Sequence, residues 1–341
     1  MDYLTENDNV LLEQNKLKDL SIFSKLGEYK QIDKYNYFET NNDEYVYYSR
    51  SMNTFFDHNK KILLFSKYIY NHININNIKD LYAIILFINN INLDLAIDIG
   101  NNIIAIEHWF LTYGHFKDSV FNQANFYELI QNNECKFLVD IPEQNISHMN
   151  YSFINYHKIV NYLFAEEKIV NSYKIGDILK MKKLFLIENG YRHNCEMFHS
   201  FPQNIVNKIL YKLPNSDISC ENIFITRGVA LHLPRNLANE KEVEDFIKNK
   251  NFKLINPEEL SYEEFINNIK NSKNIVITWG SALVNLIYLN DNTNIYILKN
   301  INSYKNERLD LFRFIKNRNF NIKIIESDEN GIIDLKNLEI I

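Results

Sequence analysis

Glycine is the residue this chain almost does without: there are eight among 341, and no two lie closer than Gly100 and Gly114 or Gly176 and Gly190. Motifs that turn the backbone tightly against a phosphate or expose a nucleophile, such as G-x-G-x-x-G, G-x-x-x-x-G-K-[ST] and G-x-S-x-G, need two glycines within a few positions. None can be written here. The usual dinucleotide fingerprint, the P-loop and the nucleophile elbow are therefore excluded before any fold is considered. Asn, Ile and Lys are over-used at the expense of Gly, Ala and Pro. This reads as coding bias, so runs such as Asn74 to Asn77 carry little weight.

The length fits two domains of similar size. Hydrophobic residues are 46% and charged residues 23% of the chain, a globular balance that rules out global disorder. With 37 basic and 43 acidic side chains the net charge is −6. There is no overall basic excess to release counterions from a nucleic-acid backbone, so no nucleic-acid partner is expected. Cys135, Cys195 and Cys220 are odd in number and widely spaced, which argues against a disulfide framework and for a reducing compartment. Residues 1–14 start acidic without a basic, then apolar, leader. The longest apolar run, Leu81 to Ile88, is far short of the roughly 20 residues that span a bilayer. A cytoplasmic protein without a transmembrane segment is the expectation. The sequons at Asn145 and Asn150 are what chance supplies in an Asn-rich chain.

Residues 1–43 are polar and acidic and read as an N-terminal extension. Beyond them short β-rich runs alternate with amphipathic ones. Strands are expected at 45–48, 62–65, 93–97, 103–106, 136–139 and 184–187, and helices at 78–89, 113–121 and 153–164. The C-terminal half repeats strand and helix more plainly. Strands fall at 223–226, 252–255, 275–278, 295–298 and 322–325. Between them run a helix capped by Asn239 with Val243, Phe246 and Ile247 on its apolar face, one opened by a Ser261–Glu264 capping box, one over 282–289 and one near 309–318. The fold class expected is α/β, with two Rossmann-like domains of mainly parallel sheets: 44–200 on the acceptor side, and 201–341, which would bind nucleotide.

In open parallel sheets ligands bind beyond the carboxyl ends of the strands, where helix N-termini aim N–H groups and partial positive charge at anions. Two segments have that address. One is Thr226-Arg227-Gly228 with Arg235 in the following loop; the other is Thr278-Trp279-Gly280-Ser281-Ala282. Arginines number seven against thirty lysines. Two of them flanking one strand end suit phosphate, because guanidinium is the better fork for its oxygens. The plainer reading pairs both with the acidic helix that follows. Gly280 permits a strand-to-helix turn and Ser281 would cap it, leaving amides for a diphosphate, while Trp279 is either a stacking platform for a base or a core residue.

These residues resemble glycosyltransferase family 61. Ile225-Thr-Arg227, Arg235-Asn236-Leu-Ala-Asn239-Glu240, Phe252, Pro257-Glu-Glu-Leu260 and Gly280-Ser-Ala-Leu-Val-Asn285 reproduce the order and spacing of its C-terminal signature. Tyr113-Gly-His115-Phe116 is similar to its upstream element. Trp279 stands where many members carry His, and the acidic and Pro-Arg residues that often follow the upstream His are shifted or missing in His115-Phe-Lys-Asp118. The resemblance implies a GT-B-like arrangement of two domains facing a cleft, and inverting transfer from a nucleotide diphosphate sugar, typically a uridine diphosphate sugar, to a glycan or glycoconjugate in surface polysaccharide synthesis.

Direct displacement fits both readings. Leaving-group charge would be neutralised by Arg227, Arg235 and the amides of Gly280 to Ala282. No Asp-x-Asp occurs that would carry a divalent ion, so neither metal nor other cofactor is expected. The base expected is His115, oriented by Asp118, with Glu107 and His108 as alternatives. His193, Cys195 and His199 offer three zinc-type ligands but no evident fourth, and His232 is placed to line the donor cleft. Rival readings are a nucleotide-sugar epimerase or hydrolase on the same fold, and a catalytically inactive binding subunit.

Overall fold

The structure is a computed structural model that describes residues 27–33, 35–52, 54–57, 62–63, 88–106, 113–141, 150–187, 203–214, 220–226, 236–257, 259–302 and 318–341. They fall into two compact units. One holds those within Met1–Leu111, Asn122–His148 and Phe164–Met197; the other holds those within Thr112–Phe121, Met149–Leu163 and Phe198–Ile341.

The first unit is a nine-stranded sheet. Its strands are β1 (Gly27–Ile32), β2 (Tyr35–Thr40), β3 (Val46–Ser49), β4 (Thr54–Asp57), β5 (Ile62–Leu63), β6 (Ile97–Ile106), β7 (Lys136–Val139), β8 (Ile169–Asn171) and β9 (Ile178–Ile187). β6 to β9 pair parallel, but every pairing of β1 to β5 is antiparallel. The expected mainly parallel sheet is thus a mixed one. The reason is the length of β9: its first half pairs β3 and its last three residues pair β2, so two hairpins share one edge. The kink between them is Lys183, with φ 49°, whose ammonium pairs with Glu39 on β2. β1 and β2 lie within the stretch read as a polar extension.

The strand expected at 93–97 is instead a 3-10 turn, Leu93–Leu95, because the Asn92 side chain accepts the Asp94 N–H at 3.0 Å. β6 then carries a bulge between Asp98 and Asn101, with Gly100 at φ 93°. Helix α1 (Tyr113–Ile130) runs well past the expected end. In its second half the buried Gln123 amide donates to the Ile104 and Leu138 carbonyls, tying the helix to β6 and β7. Helix α3 (Ser172–Ile175) belongs to the first unit, whereas α2 (Asn150–Leu163) falls in the second.

The second unit holds a five-stranded, fully parallel sheet: β10 (Asn222–Ile225), β11 (Lys253–Ile255), β12 (Asn274–Thr278), β13 (Asn294–Lys299) and β14 (Asn321–Glu326), in the order β11-β10-β12-β13-β14. Its central strands are runs of Ile, Val and Phe buried on both faces, as a parallel sheet covered by helices requires. Four strands begin with Asn. Asn222, Asn274, Asn294 and Asn321 stand in register, and the amide of each of the last three donates to Oδ1 of the one before it, at 2.7, 2.7 and 3.0 Å. Residues dismissed as compositional bias therefore form a side-chain ladder along the sheet's lower edge.

Helices α4 (Gln203–Lys212), α5 (Glu240–Asn249) and α6 (Tyr262–Ile269) belong to this unit. The capping box of α6 is present: Ser261 Oγ accepts the Glu264 N–H at 3.2 Å, and Glu264 takes the Ser261 N–H at 2.9 Å. Val243 and Ile247 of α5 pack with Leu237, Phe224 and Val276. The expected 309–318 helix lies, but for Arg318, outside the described residues, as does most of the one at 78–89. No helix among the described residues is long and apolar enough to cross a membrane.

Candidate functional site

Strand order places the switch point of the parallel sheet. β10 has β11 on one side and β12 on the other, so successive crossovers leave in opposite directions between β10 and β12, and open α/β sheets bind ligands beyond the carboxyl ends of such a pair. Those ends are Ile225-Thr226 and Thr278-Trp279-Gly280, the two exits picked out from sequence.

At the second exit Gly280 has φ 155° and ψ −167°, a conformation open essentially to glycine alone. Gly280 is also the cap residue, which corrects the expected role of Ser281: Ser281 is the first residue of a 3-10 helix, Ser281–Tyr288, rather than the cap of an α-helix. The ladder of that helix starts with the Leu283 N–H bonding the Gly280 carbonyl at 3.0 Å. The N–H groups of Ser281 and Ala282 precede it and have no acceptor within the helix. Just before the turn, Thr278 is 1% exposed, and its Oγ1 has no hydrogen-bond partner among the described residues. The sequence placed Thr278 in this exit without giving it a role; its signal was a hydroxyl ending an otherwise apolar strand.

The far end of this 3-10 helix is held firmly. Arg318 donates to the Ile287 and Leu289 carbonyls at 3.4 and 2.6 Å and pairs with Asp291 at 2.7 Å. Tyr262 and Tyr288 share a hydrogen bond of 2.5 Å, with both rings buried. A cation at the C-terminus and a buried tyrosine pair fix the element whose N-terminus follows the β12 exit. Trp279 is 1% exposed and lies under the Lys299 ammonium, 5.4 Å from the ring centroid. Its ring supports the turn and offers no open face for stacking.

Arg227, Arg235 and His232 lie outside the described residues, but the segment that follows Arg235 is anchored at four points. The Asn236 carbonyl accepts from Asn300 Nδ2 at 2.6 Å, Leu237 is buried in the core, and the Ala238 N–H donates to the Gly331 carbonyl at 2.8 Å. The expected side-chain cap of α5 by Asn239 is not made. The Asn239 amide is clasped to the Ile333 backbone in both directions. The backbone leaving the Arg235 loop is therefore fixed by contacts with the stretch from Asn300 to Ile333.

His115 and Asp118 stand one turn apart near the start of α1, and this segment belongs to the same unit as β10 and β12. Glu107, His108, His193, Cys195 and His199 lie outside the described residues. Among the described residues no three or more His, Cys, Asp or Glu come together as a metal-binding group.

The first unit carries a polar cluster that the sequence reading missed. Asp140 follows β7, is 7% exposed and accepts a hydrogen bond from Ser172. Burial raises its pKa, against the Ser172 hydrogen bond, the Arg50 charge and a hydrogen bond from Tyr48. The Arg50 guanidinium in turn covers the Tyr173 ring, 4.2 Å from its centroid. The signal was the strand-exit rule applied to β7, which was used only in the other half of the chain.

Among curated proteins no relative matches this chain. The model of the Glycosyltransferase 61 family matches residues 107–296. That stretch covers more than half of the sequence and takes in α1, both strand exits and the Gly280 turn, ending within β13, and on it the chain belongs to glycosyltransferase family 61.

Proposed function

We propose that this glycosyltransferase moves a sugar from a uridine diphosphate sugar to a hydroxyl of a glycan or glycoconjugate, with inversion, without a metal ion and on a GT-B-like fold. The observation that carries this reading is the position of the switch point between β10 and β12, whose exits lead into Arg227 and the Gly280 turn. The acceptor oxygen attacks the anomeric carbon, the bond from that carbon to the diphosphate oxygen breaks, and the acceptor proton passes to His115, oriented by Asp118. Charge on the departing diphosphate is met by Arg227, Arg235 and the N–H groups of Ser281 and Ala282, aligned before reaction and so without reorganisation cost at the transition state. The Thr278 hydroxyl, buried beside the turn, is a further donor for the diphosphate. Membership of the family, and the grouping of the His115 segment with the donor strands in one unit, support this division of roles.

Calorimetric titration with uridine, guanosine, cytidine and thymidine diphosphates, each with EDTA and with manganese, tests the proposal. Tight binding of uridine diphosphate in EDTA is the expected result. Binding that needs manganese overturns the metal-free step, preference for another nucleotide overturns the donor, and no binding at all favours a non-catalytic subunit.

A further inference from the structure

A surface cavity of about 430 Å³ lies along α4, lined by Leu163, Asn204, Asn207, Lys208, Tyr211 and Lys212. That volume is in the range of small-ligand sites, roughly 300–1,000 Å³. Asn204, Asn207, Lys208 and Tyr211 follow the i, i+3, i+4, i+7 spacing of one helix face, opposite the buried Ile205, Val206 and Ile209. Tyr211 is 92% exposed, the only aromatic among the described residues in so open a position. An aromatic ring left in water presents an apolar face and a polar tip, which is what the C–H face and hydroxyl edge of a sugar ring complement.

The polar groups around Tyr211 are oriented. Asn207 Oδ1 takes a hydrogen bond from Gln203 at 2.8 Å, which leaves the Asn207 NH₂ as a donor. Lys212 Nζ is held at the rim by the Tyr162 carbonyl at 2.6 Å, with further protons to give. The carboxylate packed on α2, Glu263, is taken by Lys158 and the Tyr162 hydroxyl, and the cavity lining itself is basic. Neither α2 nor α4 contains an acidic residue, and the cavity has two lysines and no carboxylate, in a chain of net charge −6.

We propose that this face binds a carboxylate-bearing oligosaccharide: a sugar ring lies on Tyr211, Asn207 donates to ring hydroxyls, and Lys208 and Lys212 take the carboxylate. It is a docking subsite separate from the donor turn. Its service in holding the acceptor chain rests on the glycosyltransferase reading, whereas the binding itself does not.

The test is ligand-observed saturation-transfer NMR on the full chain with tetragalacturonate and, as the neutral control, maltotetraose, each at low and high salt. Tyr211→Ala and the double variant Lys208→Gln/Lys212→Gln are compared with the wild type, and uridine diphosphate binding is followed in the same samples. Tetragalacturonate should bind the wild type better than maltotetraose and more weakly as salt rises, because exposed charges are screened. Tyr211→Ala should weaken it about tenfold, the effect of losing one aromatic anchor, and the double variant should abolish the preference over maltotetraose. Unfolding curves of Tyr211→Ala should match the wild type, since the side chain is exposed. Unchanged affinity in Tyr211→Ala, equal binding of maltotetraose, or no binding by the wild type overturns the proposal. So does self-association of the wild type that Tyr211→Ala abolishes, which would make the face an interface between two copies. Tetragalacturonate binding without uridine diphosphate binding would leave this subsite standing and remove the donor assignment.

Discussion

Asn239 and Ile333 exchange two hydrogen bonds, each of 2.9 Å: the Asn239 amide donates to the Ile333 carbonyl, and the Ile333 N–H returns one to Asn239 Oδ1. An asparagine side chain thus pairs with backbone as a strand would, four residues after Arg235 in the sequence. Asn239→Ala removes both bonds and leaves a part-buried N–H and carbonyl unpaired, at a cost of about 1–3 kcal/mol. In urea unfolding the variant should lose stability of that size. Its affinity for uridine diphosphate should also fall, because the loop loses its anchor. A variant with full affinity would show that the clasp serves stability alone.

Gly280 sits at φ 155° and ψ −167°, where a side chain is not tolerated. Gly280→Ala should cost about 1–3 kcal/mol of strain and displace the Ser281 and Ala282 N–H groups. Arg227→Ala should abolish turnover while the fold stays intact. The two differ in readout: Gly280→Ala lowers both the melting temperature and nucleotide affinity, and Arg227→Ala lowers only affinity and turnover. Full activity in Arg227→Ala would remove that residue from the donor site.

The parallel half of the fold was legible because its strands are short Ile- and Val-rich runs with polar breaks, and because the Ser261–Glu264 box and the Gly280 turn act locally. The mixed sheet was not. β1 and β2 mix Tyr and Phe with polar and charged residues, and they join the sheet through the pairing of β2 with β9, more than a hundred residues away in sequence. The strand exits were legible by rule, but the roles of Ser281 and Asn239 were not. A cap residue is chosen by backbone conformation, which Gly280 supplies, and the Asn239 amide found a distant backbone instead of its own helix.

The asparagine ladder went unread because each Asn is separated from the next by at least a strand and its connection. Its chemistry is nonetheless testable. Asn294 donates to Asn274 and accepts from Asn321, whereas Asn321 makes one ladder bond. At about 0.5–1.5 kcal/mol per bond, Asn294→Ala should destabilise more than Asn321→Ala. A double-mutant cycle of Asn274→Ala and Asn294→Ala should show coupling, because the pair shares a bond. Strict additivity in urea titrations would mean that these amides hydrogen-bond water as well as one another.

Two carboxyl groups of the first unit should respond to pH in opposite senses. Burial pulls the Glu39 pKa up, but hydrogen bonds from Lys183 and Lys30 and their charges outweigh it and leave the carboxyl below its ordinary value. Its stabilisation is therefore present above the unfolded pKa near 4.3 and is lost as pH falls through the lower folded value. Asp140 is the reverse case. Its folded pKa is raised by burial, so the native state binds the proton more tightly, and that contribution is full below the unfolded pKa near 3.9 and is lost as pH rises through the folded value. Urea unfolding of Glu39→Gln and Asp140→Asn between pH 3 and 7 separates them. The penalty of Glu39→Gln should shrink on acidification. The penalty of Asp140→Asn should shrink as pH rises, since the wild type then carries a buried charge that the variant lacks. If both penalties move in the same direction with pH, Arg50 and the hydroxyls of Ser172 and Tyr48 stabilise the Asp140 carboxylate more than burial destabilises it.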